Sequence, residues 1–163
     1  MNSKSYFRHL WTILFSIVLM PFLIPFVAQL KQSYATKEEL IYIGIATFFI
    51  FIIPLLILHF NHYLQSRGVS FSYDQYSGEL EYKKARSKIN FTLDDIASIV
   101  VYKSFSMAKN KTPTMLTDIY NYGVITLKNN TILKISSLVV YELDKVIKFE
   151  STQIRRKWYP WMS

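Results

Sequence analysis

The chain has 163 residues, 51% of them hydrophobic and 17% aromatic, with a formal net charge of +8 and no cysteine. That length holds one modest domain plus something else, and the lack of Cys excludes disulfides, thiolate catalysis and Cys-based metal sites. Apolar residues crowd the part before residue 65. Beyond Leu64, fifteen Lys/Arg face nine Asp/Glu, so that part is basic by six and suits an anionic surface such as lipid headgroups or nucleic acid.

Taken in chain order, the first predicted element is LWTILFSIVLMPFLIPFVAQL, residues 10–30, which carries no charge. As a helix it would reach about 31 Å, the thickness of a hydrocarbon core. A second uncharged run begins at Leu40 and continues to Ser66, and the intervening KQSYATKEE suits a tight turn. These features predict a transmembrane hairpin over residues 1–66, with spans at about 10–30 and 40–64. The rival is a signal peptide with a basic start at Lys4 and Arg8 and Ala28 at its cleavage site. Its apolar run would exceed the usual ~7–15 residues, and the second span would anchor the protein either way. Lys/Arg counts near the span ends, with Arg67, Lys83, Lys84 and Arg86 deciding, place both termini inside and the turn outside.

Pro21, Pro25 and Pro54 lie in the spans, where Pro is commonly tolerated because neighbours re-satisfy the freed carbonyls. Neither span holds Asp, Glu, Lys or Arg, which argues against a proton relay or ion pathway. His59 and His62 stand three apart with Asn61 between them. They read either as two metal ligands on one helix face or, with no carboxylate near, as interfacial polar residues. Trp11 and Tyr63 read as membrane-interface aromatics.

From Val69 the pattern alternates with period two. It predicts strands at 69–73, 79–84, 88–93, 96–103, 122–128 and 131–136, with Asp94-Asp95 as a corner and Asn129-Asn130 as a hairpin turn. Val139, Leu143, Val146 and Ile147 then repeat at helical spacing, predicting an amphipathic helix over about 138–149. The whole is a small antiparallel β-barrel or sandwich over residues 67–163, closed by one C-terminal α-helix. A seventh strand could lie in 104–120, which otherwise reads as a partner-binding or mobile loop.

Strands followed by a single closing helix resemble the pleckstrin-homology plan. INFTLDDIASIVVYKS looks like a strand–corner–strand of bacterial PH-like domains, and YGVITLKNNTILKISSLVVYELDKVI looks like their last hairpin and closing helix. The layout is similar to small bacterial membrane-anchored PH-like proteins with two N-terminal transmembrane spans and an Arg-aromatic-Pro tail, here IRRKWYPW. The resemblance implies a fold and no assigned activity. Eukaryotic phosphoinositide-binding relatives carry basic residues in the first hairpin, whereas this chain has DQYSG there.

Two basic stretches are candidate sites. Lys83, Lys84, Arg86 and Lys88 fall at the predicted tip of the second hairpin, where they would meet an anionic bilayer or simply form a solvated turn. In the tail, Arg155, Arg156 and Lys157 could meet phosphates while Trp158, Tyr159 and Trp161 enter the headgroup layer, or the aromatics could fold back on the protein. No catalytic set, phosphate-cradling loop or cofactor motif is present. Nucleic acid is disfavoured by the lack of a recognition motif. With this resemblance, the sequence predicts a non-enzymatic docking module, which the resemblance places at the cytoplasmic face of a bacterial inner membrane, binding lipid headgroups or a protein partner. The alternative is an accessory subunit of a transport or secretion complex, acting through the hairpin.

Overall fold

The computed structural model describes residues 36–112 and 115–163, together with Trp11, Leu14, Phe15, Val18, Leu19 and Phe26. Those six isolated positions are helical and solvent-facing; the rest of the expected first span lies outside the described residues.

The second apolar run is a continuous helical rod. It comprises α1 (Lys37–Thr47), a π-helical turn (Phe48–Ile52) and α2 (Ile53–Ser66). The rod starts inside the segment expected to be a turn, because Thr36 and Glu39 form a capping box. Glu39 N–H donates to Thr36 Oγ1 at 3.3 Å, and Thr36 N–H donates to Glu39 Oε2 at 2.8 Å, so orphan donors are satisfied locally. The π turn has a physical cause in Pro54, which lacks an N–H and cannot continue the α-helical ladder. Just before it, Ile53 N–H reaches back five residues to the Phe48 carbonyl. Glu38–Ser66, 29 residues, is long and apolar enough to cross a bilayer by length and composition.

After Gly68, at φ +72°, seven strands follow. They are β1 (Val69–Tyr73), β2 (Glu79–Lys84), β3 (Ser87–Thr92), β4 (Ile96–Lys103), β5 (Tyr122–Leu127), β6 (Ile132–Ser136) and β7 (Thr152–Arg156). β1-β2-β3 make one sheet and β6-β5-β4-β7 the other. Neighbours pair antiparallel except β4 and β7, which run parallel. A 3-10 turn over Leu93–Asp95 carries the chain between sheets, at the expected Asp94-Asp95 corner. The two sheets enclose one core in which Leu80, Tyr82 and Phe91 face Ile99, Val101, Ile125, Leu133 and Ile135. Alternation along the strands supplies these inward residues, as period-two geometry requires.

Two expectations are corrected. The C-terminal helix over 138–149 is only one turn, α4 (Leu143–Val146). Val139, Leu143 and Ile147 are buried against the core as their spacing predicts, but residues 137–142 form turns and Glu142 sits at φ 56°. That left-handed residue breaks the helical path and sets its carboxylate between Lys145 at 2.8 Å and the buried Lys103 at 3.6 Å. The seventh strand lies in the tail as β7 rather than in 104–120. The latter holds α3 (Phe105–Ala108), capped by Ser104 (Met107 N–H to Ser104 Oγ, 3.4 Å), and a 3-10 turn (Leu116–Ile119).

Candidate functional site

Strand register places a cluster of exposed cations at one end of the β domain and a cluster of carboxylates, with Lys128 beside Asp95, at the other. At one end lie Val69, Lys84, Ser87, Lys103, Tyr122, Ser136 and Arg156, the terminal residues of strands joined by Val69↔Lys84, Lys84↔Ser87, Tyr122↔Ser136 and Lys103↔Arg156. This is the end that α2 enters. The β2–β3 turn rests on the helix exit, with Ala85 N–H donating to the Gly68 carbonyl at 3.0 Å. Lys83, Lys84, Arg86 and Lys88 are therefore gathered beside Arg67, and all five are exposed. Lys88 also pairs with Glu81 at 2.9 Å across two exposed side chains, a contact of little strength in water.

At the opposite end Tyr73, Glu79, Thr92 and Leu127 close the strands, and Asp74 and Asp95 gather there with Glu79. They line a cleft of about 460 Å³. Two of these carboxylates are held below the ordinary aspartate value of 3.8. Asp74 accepts from Tyr76 N–H at 2.9 Å and Ser77 Oγ at 3.0 Å. Asp95 accepts from Thr92 N–H at 2.8 Å and Thr92 Oγ1 at 2.9 Å. Hydrogen bonds to the ionised form cause both shifts. The β2–β3 hairpin thus runs from acidic to basic over about 17–20 Å, the length of five or six strand residues.

Lys103 ends β4 with 0% exposure. Its Nζ lies 2.7 Å from Asp144 Oδ2 and 3.6 Å from Glu142 Oε1. The pair joins β4 to α4, and both carboxylates retain some contact with solvent. Such a pair holds geometry more than it adds stability.

The histidines are joints between helix and domain. His62, 0% exposed, places Nδ1 2.8 Å from Ser136 Oγ and Nε2 2.8 Å from the Pro160 carbonyl. A carbonyl only accepts, so Nε2 carries the proton and donates to it. Asn61 makes a reciprocal pair with Met162: Nδ2 donates to its carbonyl at 3.0 Å, and its N–H donates to Oδ1 at 2.9 Å. His59 Nδ1 lies 2.8 Å from the Tyr120 hydroxyl. Above them Leu55 and Leu58 pack with Tyr120 and Leu138, and Tyr63 lies half-buried against the same group. Successive helix positions thus meet Tyr120, then the tail, then the β2–β3 turn.

The tail residues separate in role. Arg155 and Arg156 are exposed on β7. Lys157 is committed inward: its Nζ donates to the Tyr122 hydroxyl at 2.9 Å and lies 4.7 Å from the Tyr102 ring centre, over a Tyr102–Tyr122 stack of 4.6 Å. Trp158 and Trp161 stay exposed, whereas Pro160 and Met162 are buried toward α2. Trp11 is also exposed. Sequence reasoning missed the roles of Lys103, Asn61 and Ser136; uncompensated polar residues at apolar-spaced positions were the available signal.

A model of the PH domain matches residues 1–149, taking in the helical rod and six strands and stopping before β7. No curated protein and no solved structure matches significantly. With the family match covering most of its length, and two packed sheets of the expected order, this chain belongs to the PH domain family.

Proposed function

We propose that this protein is a membrane-tethered PH-like docking module without catalytic activity, held at the cytoplasmic face of a bacterial inner membrane with both termini inside. Its fold class is one of lipid- and protein-binding modules. The observation that carries the reading is the charge polarity. The end of the domain that receives the apolar rod carries Arg67, Lys83, Lys84, Arg86 and Lys88, all exposed, while its carboxylates Glu142 and Asp144 are taken up by Lys103; Asp74, Glu79 and Asp95 gather at the other end. A cationic end beside a spanning helix faces anionic headgroups, at about 1 kcal/mol per Lys or Arg near the surface. The acidic end then faces away, which removes like-charge repulsion with the leaflet. Ile41, Tyr42, Ile45 and Phe49 on the exposed flank of the rod supply the apolar surface that lipid tails or a neighbouring span of a membrane-protein partner would cover.

The test uses full-length protein in nanodiscs, read by hydrogen exchange. Exchange over residues 83–88 should slow when anionic phosphatidylglycerol replaces part of the phosphatidylcholine. High salt, or joint Lys83→Gln, Lys84→Gln and Arg86→Gln, should remove that effect. Identical exchange in the two lipids overturns the lipid-docking reading.

A further inference from the structure

Resting on the tethered reading above, we infer that the tail and the start of the 104–112 connection form one aromatic platform that enters the lipid headgroup layer, and that Asn61 and His62 position it. Phe105 and Trp158 meet with ring centres 5.0 Å apart. Trp158 is 73% exposed, Tyr159 53%, Trp161 45% and Phe105 40%. Pro160 and Met162, interleaved with them, are buried. The tail therefore spends its inward positions on α2 and turns its large aromatics outward. Four such rings at one end of a small domain make an apolar patch that calls for an occupant.

The bilayer interface is the occupant that the surroundings favour. The clasp fixes the tail to α2 at Asn61 and His62. Within about two turns back along the same helix, Phe60, Ile57 and Leu56 are exposed and apolar, so the platform adjoins the surface that lipid would cover. The exposed charges flanking the rings, Lys109, Arg155 and Arg156, are cationic. Amphipathic rings with basic neighbours suit the headgroup level, where an apolar body and a polar edge are both satisfied. The clasp also accounts for two of the three buried polar side chains of α2, the third being Ser66, whose hydroxyl donates to the His62 carbonyl at 2.6 Å. Asn61 and His62 are positioning residues: they set the height of the rings.

The test places full-length protein, carrying Trp11→Phe so that only Trp158 and Trp161 emit, in nanodiscs of phosphatidylcholine and phosphatidylglycerol. With lipids brominated near the headgroup end of the acyl chains, emission should fall, as rings at interface depth require. Aqueous iodide should quench weakly. Asn61→Leu should reverse this preference, while a probe on Ser87→Cys keeps its distance from the bilayer. Phe105→Ser should weaken bromolipid quenching of Trp158 without moving the Ser87 probe. Strong iodide quenching with no bromolipid effect overturns the platform, as does shielding from both quenchers, which would mean a protein cover. Unchanged quenching in Asn61→Leu overturns the positioning role. Release of the protein into alkaline carbonate would overturn the tether itself, a failure distinct from loss of the platform alone.

Discussion

Where α2 enters the β domain, strand ends are crowded by cations, a buried ion pair and polar joints to the helix. Where the strands turn back at the far end, carboxylates cap tight turns and little long-range polar structure is present among the described residues. Both ends are built from the same strands, so their difference arises from register: Glu79 and Lys84 sit at opposite ends of β2. One end is tied to distant parts of the chain, through Lys103 to α4 and through His62 to β6 and the tail. The other has its carboxylate side chains bonded within three residues, such as Asp95 with Thr92, and is joined across the sheet, among the described residues, by backbone alone, Lys128 N–H donating to the Asp95 carbonyl at 2.8 Å. The contrast teaches that local hydrogen bonding suffices to close hairpins, while joining a helical rod to a sheet demands buried polar partners from far apart in sequence.

Substitutions can break that contrast or sharpen it. The largest effect is expected at Ile125, fully buried in β5 between the two ends. Ile125→Ala should cost about 2–5 kcal/mol and loosen both ends together, read as a lower urea midpoint and faster exchange throughout the β domain. Lys103→Met comes next. Removing the cation strands Asp144 near the core, while Glu142 keeps Lys145 at 2.8 Å, and breaking such a pair costs about 3 kcal/mol. Exchange should quicken around α4 and β7 and stay unchanged at the Asp74 and Asp95 turns. Adding Asp144→Asn should restore part of the loss, because the orphaned charge is gone.

His62→Leu should be milder, about 1–3 kcal/mol for leaving a buried acceptor and hydroxyl unsatisfied. The measurement that isolates it is exchange at Ser136 and Leu138, with the far end again unaffected. The smallest effect is pH dependence at the acidic end. Asp74 and Asp95 titrate below 3.8 in the folded protein. Their contribution is therefore fully present above that value and is lost as pH falls through the lower folded values. Joint Asp74→Asn and Asp95→Asn should flatten the stability profile below about pH 4, the range set by the ordinary aspartate pKa, and leave the basic end unchanged.

The strands were legible because alternation and burial agree. Val69–Tyr73, Glu79–Lys84 and Ile96–Lys103 match expectation residue for residue, and the Asn129-Asn130 turn forms with Asn130 at φ 65°. β7 was not legible. Its only large apolar residue, Ile154, is 47% exposed, and its pairing with β4 spans some fifty residues. The closing helix was misjudged in length because its apolar spacing was real but Glu142 takes a left-handed conformation between Lys145 and Lys103. The basic residues at 83–88 could be seen as a cluster, yet their place beside Arg67 and Gly68 depends on β1–β2 register. Lys157 looked like its arginine neighbours, and only the Tyr102–Tyr122 stack distinguishes it.

Polarity relative to the bilayer is the claim on which the account turns, and the natural lack of Cys makes it directly measurable. Ser87→Cys at the basic end and Asn129→Cys at the other would each be labelled in full-length protein reconstituted in nanodiscs, with energy transfer to a headgroup dye reporting height. The account predicts that Ser87 lies nearer the lipid by roughly 15–20 Å, the span of the intervening strands. Equal heights, or Asn129 nearer than Ser87, would contradict it.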